Sequence, residues 1–350
     1  MCASRAAFSR TVLAIATMVS ATFAAPALGQ GFAYGITVYE PPAGLVWNTG
    51  PSLAEDGTAI GAGYYVPGTE NDVNGVVVRP GGRTLFSVPS RVDDISDNGA
   101  FTVEYATRRD ADGTTLSLLP GVVQPSTYSS ESRISGDGNV IAGTRQDQPD
   151  WPTQAFRWTP QTGGQYLGSY RPNALFTDVF GISRDGSTIF GDGQPNVGIV
   201  REAWKWTARE GFTILPTLPD ARPQASRAYA SNSDGSIIVG YDSKPVIGFR
   251  PLIWTNGVPS ALPVMDGFRT AWATDLSDDG SIIIGTHASS QIGLSDTCAV
   301  WTQSGEWLPV LDYIRQQGVS VPEYFDASYT SWEVSADGET FSGYVRDTRT

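Results

Sequence analysis

ISRDGSTIFG, running from Ile182 to Gly191, reads as a strand end, a tight reversal and a new strand. The apolar residue and Ser close the first strand, Asp185-Gly186 supplies the positive φ angles of a type I′ hairpin, and the run that follows opens the second. The phrase recurs as LAEDGTAIG at Leu53, ISDNGAFTV at Ile95, ISGDGNVIAG at Ile134, SNSDGSIIVG at Ser231, LSDDGSIIIG at Leu276 and VSADGETFSG at Val334. Its turn glycines are Gly57, Gly99, Gly138, Gly186, Gly235, Gly280 and Gly338, separated by 42, 39, 48, 49, 45 and 58 residues. A repeat of that length made of short strands is what a four-stranded blade requires, whereas leucine-rich and tetratricopeptide repeats are shorter.

A second phrase follows the first in most units: AFRWT (Ala155 to Thr159), AWKWT (Ala203 to Thr207), PLIWT (Pro251 to Thr255) and CAVWT (Cys298 to Thr302). Trp158, Trp206, Trp254 and Trp301 stand at one step of one strand, which suits packing between neighbouring blades better than stacking on sugars. Leu-Pro or Leu-Gly pairs come next, as in ILP (Ile214 to Pro216), and read as outer strands, where the missing N–H of proline deprives no partner. The second unit lacks the Trp strand, which predicts an abbreviated blade, and the sixth carries an insertion in which Val310 to Gln317 has helical spacing. The expected fold is all-β, a single β-propeller domain over residues 31–350 with seven four-stranded blades. One strand follows the last hairpin, so the N-terminal stretch Ala33 to Glu40 is expected to close the ring, with six closed blades and an unpaired tail as the alternative.

Composition agrees with many short strands: 39 Gly and 23 Pro among 350 residues, 40% hydrophobic and only 17% charged. A formal net charge of -13 and two lysines, Lys205 and Lys244, argue against a nucleic-acid partner, which needs a basic stripe. Arg5 and Arg10 precede an apolar stretch from Thr11 to Ala25, and Ala25-Pro26-Ala27 offers an A-x-A cleavage site. Residues 1–27 therefore read as an export signal, cleaved between 27 and 30, in preference to an uncleaved anchor, and no transmembrane span is expected after cleavage. Removal of the leader takes the charge from -13 to -15 and removes Cys2, leaving Cys298 without a disulfide partner.

The pairing of ISRDGSTIFG with AWKWT and ILPTLP behind a signal peptide resembles the bacterial extracellular HAF repeat proteins. The likeness spans Pro51 to Thr350 and includes the closing phrase LDYIRQQGVSVP…SWEVSADGETFSGY. It implies an exported, surface-associated propeller and brings no catalytic residues with it. Members often end in a sorting segment or an outer-membrane barrel. This chain shows neither, which puts surface anchoring in doubt and favours a secreted or periplasmic state, with the cell surface as the alternative; a monomer is expected.

Chemistry is sparse. The lone His287 reads as a surface-loop residue, one His and one mature Cys cannot bind zinc, and Cys298 reads as a small buried thiol. The aspartates of the repeat, such as Asp137 and Asp185, are turn residues, because no copy has the D-x-[DN]-x-[DN]-G pattern of a calcium loop. The nearest approach, RDADG (Arg109 to Gly113), reads as a hairpin tip. No metal and no cofactor are expected.

Propeller geometry directs attention to the mouth of the central channel. The residue before the last apolar position of each innermost strand is Ser52, Asp94, Arg133, Gly181, Ala230, Asp275 or Glu333. Asp94, Asp275 and Glu333 are expected to form an acidic ring near Arg133, either a solvated funnel or a carboxylate pair able to cleave a glycosidic bond. Trp151, Trp272 and Trp332 lie outside the repeated Trp strand and are the candidates for stacking on a sugar. The expected function is an exported, non-catalytic binding module for a glycan or a cell-surface protein. A carbohydrate-active hydrolase and a structural surface component are the alternatives.

Overall fold

The computed structural model describes residues 16–22, 35–39, 46–47, 51–65, 74–79, 83–89, 91–119, 132–146, 152–195, 201–222, 225–245, 248–264, 266, 268–288, 296–303, 305–327 and 332–349. Trp151 lies outside these residues. They fold into seven antiparallel sheets, which are the blades of a β-propeller. Their innermost strands are Ser52–Leu53, Asp94–Ile95, Ser132–Ile134, Phe176–Ile182, Ser226–Ser231, Thr270–Leu276 and Trp332–Val334, for blades 1 to 7 in turn. Each of these strands contacts the next, and the seventh contacts the first, so the ring is closed.

A full blade shows how the sequence produces this. In blade 4, Phe176–Ile182 pairs with Thr188–Gln194, then come Glu202–Thr207 and Gly211–Ile214 in order outward. In the reversals of blades 3 and 4 the Gly N–H donates to the Ser carbonyl three residues earlier, for instance Gly138 to Ser135 at 2.9 Å. Only the glycine has a positive φ there (+72° at Gly138), so these are type I turns ending in a left-handed glycine and not type I′ turns. The Ser and Asp side chains brace the turn. Asp137 accepts from Ser135 Oγ at 2.7 Å and from Asn139 N at 2.9 Å, and Ser135 Oγ accepts from Val140 N at 2.9 Å. Only ISDNG departs, with both Asn98 (φ 60°) and Gly99 (φ 65°) left-handed.

The hairpins also join the blades. Going round the ring, Asn98 N donates to Asp56 Oδ2, Asp97 N to the Gly136 carbonyl, Gly136 N to the Arg184 carbonyl and Asp185 N to the Ser233 carbonyl. Ser233 N then donates to Asp278 Oδ1, Asp278 N to the Ala336 carbonyl and Ala336 N to the Glu55 carbonyl. Every seam therefore carries a hydrogen bond at the same end of the channel. Gly138 must be glycine on two counts, because a Cβ there would meet the Phe101 ring of blade 2 at 2.2 Å.

The repeated tryptophans pack the blades together. Trp158, Trp254 and Trp301 are buried, and the indole N–H of Trp254 donates to the Pro216 carbonyl and that of Trp301 to the Pro263 carbonyl, each in the preceding blade. The Leu-Pro pairs thus accept the tryptophan of the next blade. In blade 4 Trp204 is the fully buried indole and Trp206 is half-buried, so the core position falls two residues earlier than the repeat suggests. Blade 2 is short yet has four strands. Its third strand, Thr107–Asp110, puts the Arg108 guanidinium 4.3 Å from the Phe101 ring centre and 5.3 Å from that of Trp158, filling the missing tryptophan's place.

Blade 7 combines both ends of the chain. Thr340–Asp347 pairs with Trp332–Val334 on one side and with Ala16–Thr22 on the other, and Gly35–Tyr39 lies outermost. The apolar stretch that reads as an export leader therefore forms the third strand of this blade, and the segment expected to close the ring lies beside it as the fourth. Beyond this, the helix Val310–Gln316 buries Val310, Leu311 and Ile314 in one cluster with Trp332, Phe341 and Val345, covering the seam between blades 6 and 7. It is the one α-helix among the described residues.

Candidate functional site: the mouth of the central channel

At the hairpin end of the ring the channel opens into a cavity of about 390 Å3. Asp94, Arg133, Asp275 and Glu333 all line it, together with Ser52, Gly181 and Ala230 at the equivalent positions of the other blades. The repeat brings them together because each precedes the last inward-facing apolar residue of its innermost strand.

The acidic side chains are tied to the fold. Asp94 accepts from its neighbour Ile95 N, from Ser52 Oγ of blade 1 and from Ile134 N of blade 3 at 2.9 Å. Asp275 repeats the arrangement, accepting from Leu276 N at 2.9 Å and from Val334 N of blade 7 at 2.7 Å. Glu333 accepts from Leu53 N of blade 1, and Arg133 donates through Nε to the Phe180 carbonyl of blade 4 at 2.8 Å. One channel position thus serves as an inter-blade staple in blades 1, 2, 3, 6 and 7. Blades 4 and 5 carry Gly181 and Ala230 instead.

Those two blades contribute different groups. Their innermost strands are bulged, with Phe180 and Tyr229 as the extra residues, and a third bulge in blade 6 holds Thr274. A bulge re-aims the side chain it adds, and all three residues line the cavity. Phe180 and Tyr229 meet edge to face with ring centres 5.7 Å apart. Arg227 backs them, 4.4 Å from the Phe180 ring centre, and its own charge is met by Asp192 at 2.6 Å. From Tyr229 the aromatic row continues through Tyr241 and Phe249 of blade 5 to Trp272 on the innermost strand of blade 6. The wall is two-sided: aromatic on blades 4 and 5, acidic on blades 6, 7, 1 and 2.

Burial, and for most of them mutual repulsion, raises the carboxyls of the acidic side. Asp275 is pushed up to about 7, by burial first and then by the Asp94 charge, against the pull of the two amides it accepts from. Glu333 is raised well above its ordinary value by burial and by Asp275, and Asp94 is raised by burial despite Arg133. Glu55, one residue before the turn aspartate of blade 1, is raised by burial and by Asp275, Asp94 and Glu333.

Glu55, Arg184, Phe180 and Tyr229 were not foreseen as site residues. Glu55 and Arg184 share one step of the turn phrase, so the same repeat alignment read three residues later identifies them. Phe180 and Tyr229 owe their place to bulges, whose only trace is an aromatic residue just before Gly181 and before Ala230.

Other expectations are corrected. Trp332 borders the channel but is 1% exposed and belongs to the core cluster at the blade 6–7 seam, so it presents no stacking face. Trp272 is half-buried at the far end of the aromatic row, on the innermost strand of blade 6. His287 is not on a surface loop: it is 0% exposed on the second strand of blade 6, among Phe268, Trp301 and Trp307, and burial pushes it down to about 4. Cys298 is a buried thiol, as expected, and burial pushes it far up, which keeps it unreactive. Among the described residues no group of three or more His, Cys, Asp and Glu is placed to hold a metal, and no helix is long and apolar enough to cross a membrane.

Neither a family model nor a curated protein sequence matches the chain. Solved structures do. The structure of putative TolB from Agrobacterium tumefaciens is 11% identical, with a TM-score of 0.50 over 95% of this chain and 98% of that one. An oligogalacturonate lyase in complex with manganese is 14% identical, with a TM-score of 0.53 over 95% and 98%. Prolyl oligopeptidase B from Galerina marginata is 12% identical, with a TM-score of 0.54 over 95% of this chain and 56% of that one. At such identities the likeness establishes the fold alone: an all-β, seven-bladed propeller of antiparallel blades.

Proposed function

We propose that the protein is an exported binding module that takes a glycan, free or displayed on a surface partner, at the hairpin-end mouth of its channel and does not cleave it. The observation that carries this reading is the division of the channel wall. Phe180 and Tyr229 are delivered to the cavity by bulges, while Asp94, Asp275 and Glu333 are engaged in holding blades together. Aromatic faces suit the C–H faces of a pyranose, and hydrogen-bonded carboxyls opposite suit its hydroxyls. Export and a secreted, periplasmic or surface location rest on the leader-like residues 1–27 and on the resemblance to extracellular HAF repeat proteins.

The experiment is a glycan and polysaccharide array on the purified protein, read for retention and for product release. Retention without release is expected. A hydrolase is the second reading, favoured by Asp275, which at about 7 could hold a proton for a leaving group beside Glu333. Released product, lost in Asp275→Asn and Glu333→Gln with folding intact, would replace the binding-module reading by that one.

A further inference from the structure

The charges at the channel mouth do not balance, and the imbalance identifies a ligand class. Both arginines of the lining are committed. Arg184 binds Asp97 through Nε and Nη2 at 3.0 and 2.9 Å, and Arg133 donates to the Phe180 and Asp93 carbonyls. Asp93 is matched by Arg91 at 2.6 Å. Glu55, Asp94, Asp275 and Glu333 have no ion-pair partner within 4 Å among the described residues, and three of them are occupied by backbone amides. Glu55 differs: its carboxylate makes no hydrogen bond among the described residues, while its backbone carbonyl closes the seam to Ala336. It lies on blade 1, across the ring from Phe180 and Tyr229 on blades 4 and 5.

We propose that the channel selects a saccharide bearing a free amino group, its ring against Phe180 and Tyr229 and its ammonium on Glu55. The assignment rests on the glycan-binding reading above and narrows it. A uronate, sulfate or phosphate would meet four acidic groups against the single charge of Arg133, whose hydrogen bonds go to carbonyls, whereas an ammonium supplies the missing charge. A cavity of about 390 Å3 is in the range of small-ligand sites. The groups facing Glu55 are Asp94, Asp275 and Glu333, which raise it, and Arg184, which lowers it. An entering ammonium favours the ionised carboxylates, so the protons they share pass to the buffer. Affinity therefore rises with pH until the ligand amine itself loses its proton.

The test is calorimetric titration of the full chain with the β-1,4-linked glucosamine disaccharide and with its di-N-acetylated form, in buffers of different ionisation enthalpy. The amino form is expected to bind at least about tenfold tighter, with net proton release. Glu55→Gln, which removes no staple and is checked by its melting temperature, is expected to bring it down to the affinity of the acetylated form. Equal affinity for the two sugars, or an amino preference that survives in folded Glu55→Gln, overturns the amino-sugar assignment and leaves the glycan reading standing. Failure of both disaccharides to bind, with retention of other glycans on the array, likewise overturns the assignment alone. Failure of both with a silent array overturns the two readings together.

Discussion

Trp254 and Trp301 are each fixed by shape and by one polar atom: the ring fills the gap between blades while the indole N–H reaches a proline carbonyl in the preceding blade. Truncating either leaves a cavity and removes one donor from that carbonyl. Trp301→Ala is expected to cost about 3–5 kcal/mol in denaturant unfolding, and Trp206→Ala, at a half-buried position, clearly less. His287 shares the Pro263 carbonyl neighbourhood of Trp301 and is neutral when folded. Its value falls from 6.5 to about 4 on folding, so the unfolded chain binds the extra proton between these values. The stability it contributes is full above about pH 6.5 and is lost as the pH falls towards 4. Melting curves across that window should show a shallower acid-side loss in folded His287→Phe than in the parent. The tryptophans were legible because they recur in register. The burial of His287 was not, because a single histidine has no repeat to align it, although its place two residues after Gly285 matches that of Asp242, two residues after Gly240 and also fully buried.

At the scale of the element, the hairpin carries most of the fold's information. Its Ser and Asp close the turn on themselves, its glycine takes the left-handed conformation against the neighbouring blade, and its backbone bonds the next hairpin. Gly235→Ala would place a Cβ 2.5 Å from Thr188 at a φ of +71°, and a loss of more than about 1 kcal/mol is expected in unfolding experiments. Asp137→Ala removes one side-chain acceptor serving Ser135 and Asn139, and a smaller loss of about 1 kcal/mol is expected. Strand, turn and blade length could all be read from the spacing of the phrase. The turn type could not, because Asp-Gly is compatible with type I′ until the Ser carbonyl is seen to accept from the glycine. Nor could the bulges, whose extra residue shifts the alternation by one over strands too short for the shift to show in the sequence.

The whole molecule is a ring whose seams meet at the site. Asp94, Asp275 and Glu333 were legible as channel residues from the phase of the repeat, but their bonds to the next blade depend on how closely the innermost strands approach. This makes the channel wall a closure device with a pH dependence of its own. Asp275 rises from 3.8 to about 7 on folding, so the folded chain holds the proton longer. The stability this contributes is full below about pH 4 and is lost as the pH rises towards and beyond 7, opposite in sense to His287. Asp275→Asn is expected to flatten that decline in melting curves taken between pH 5 and 8.

The central claim is that ligand is held at the aromatic side of the channel mouth. The most direct measurement is glycan retention by Tyr229→Ala, with Trp206→Ala on the outer face as the control. Loss of retention in Tyr229→Ala and its preservation in Trp206→Ala is the predicted result. Undiminished retention by a folded Tyr229→Ala protein would contradict the account and move the binding surface away from the channel.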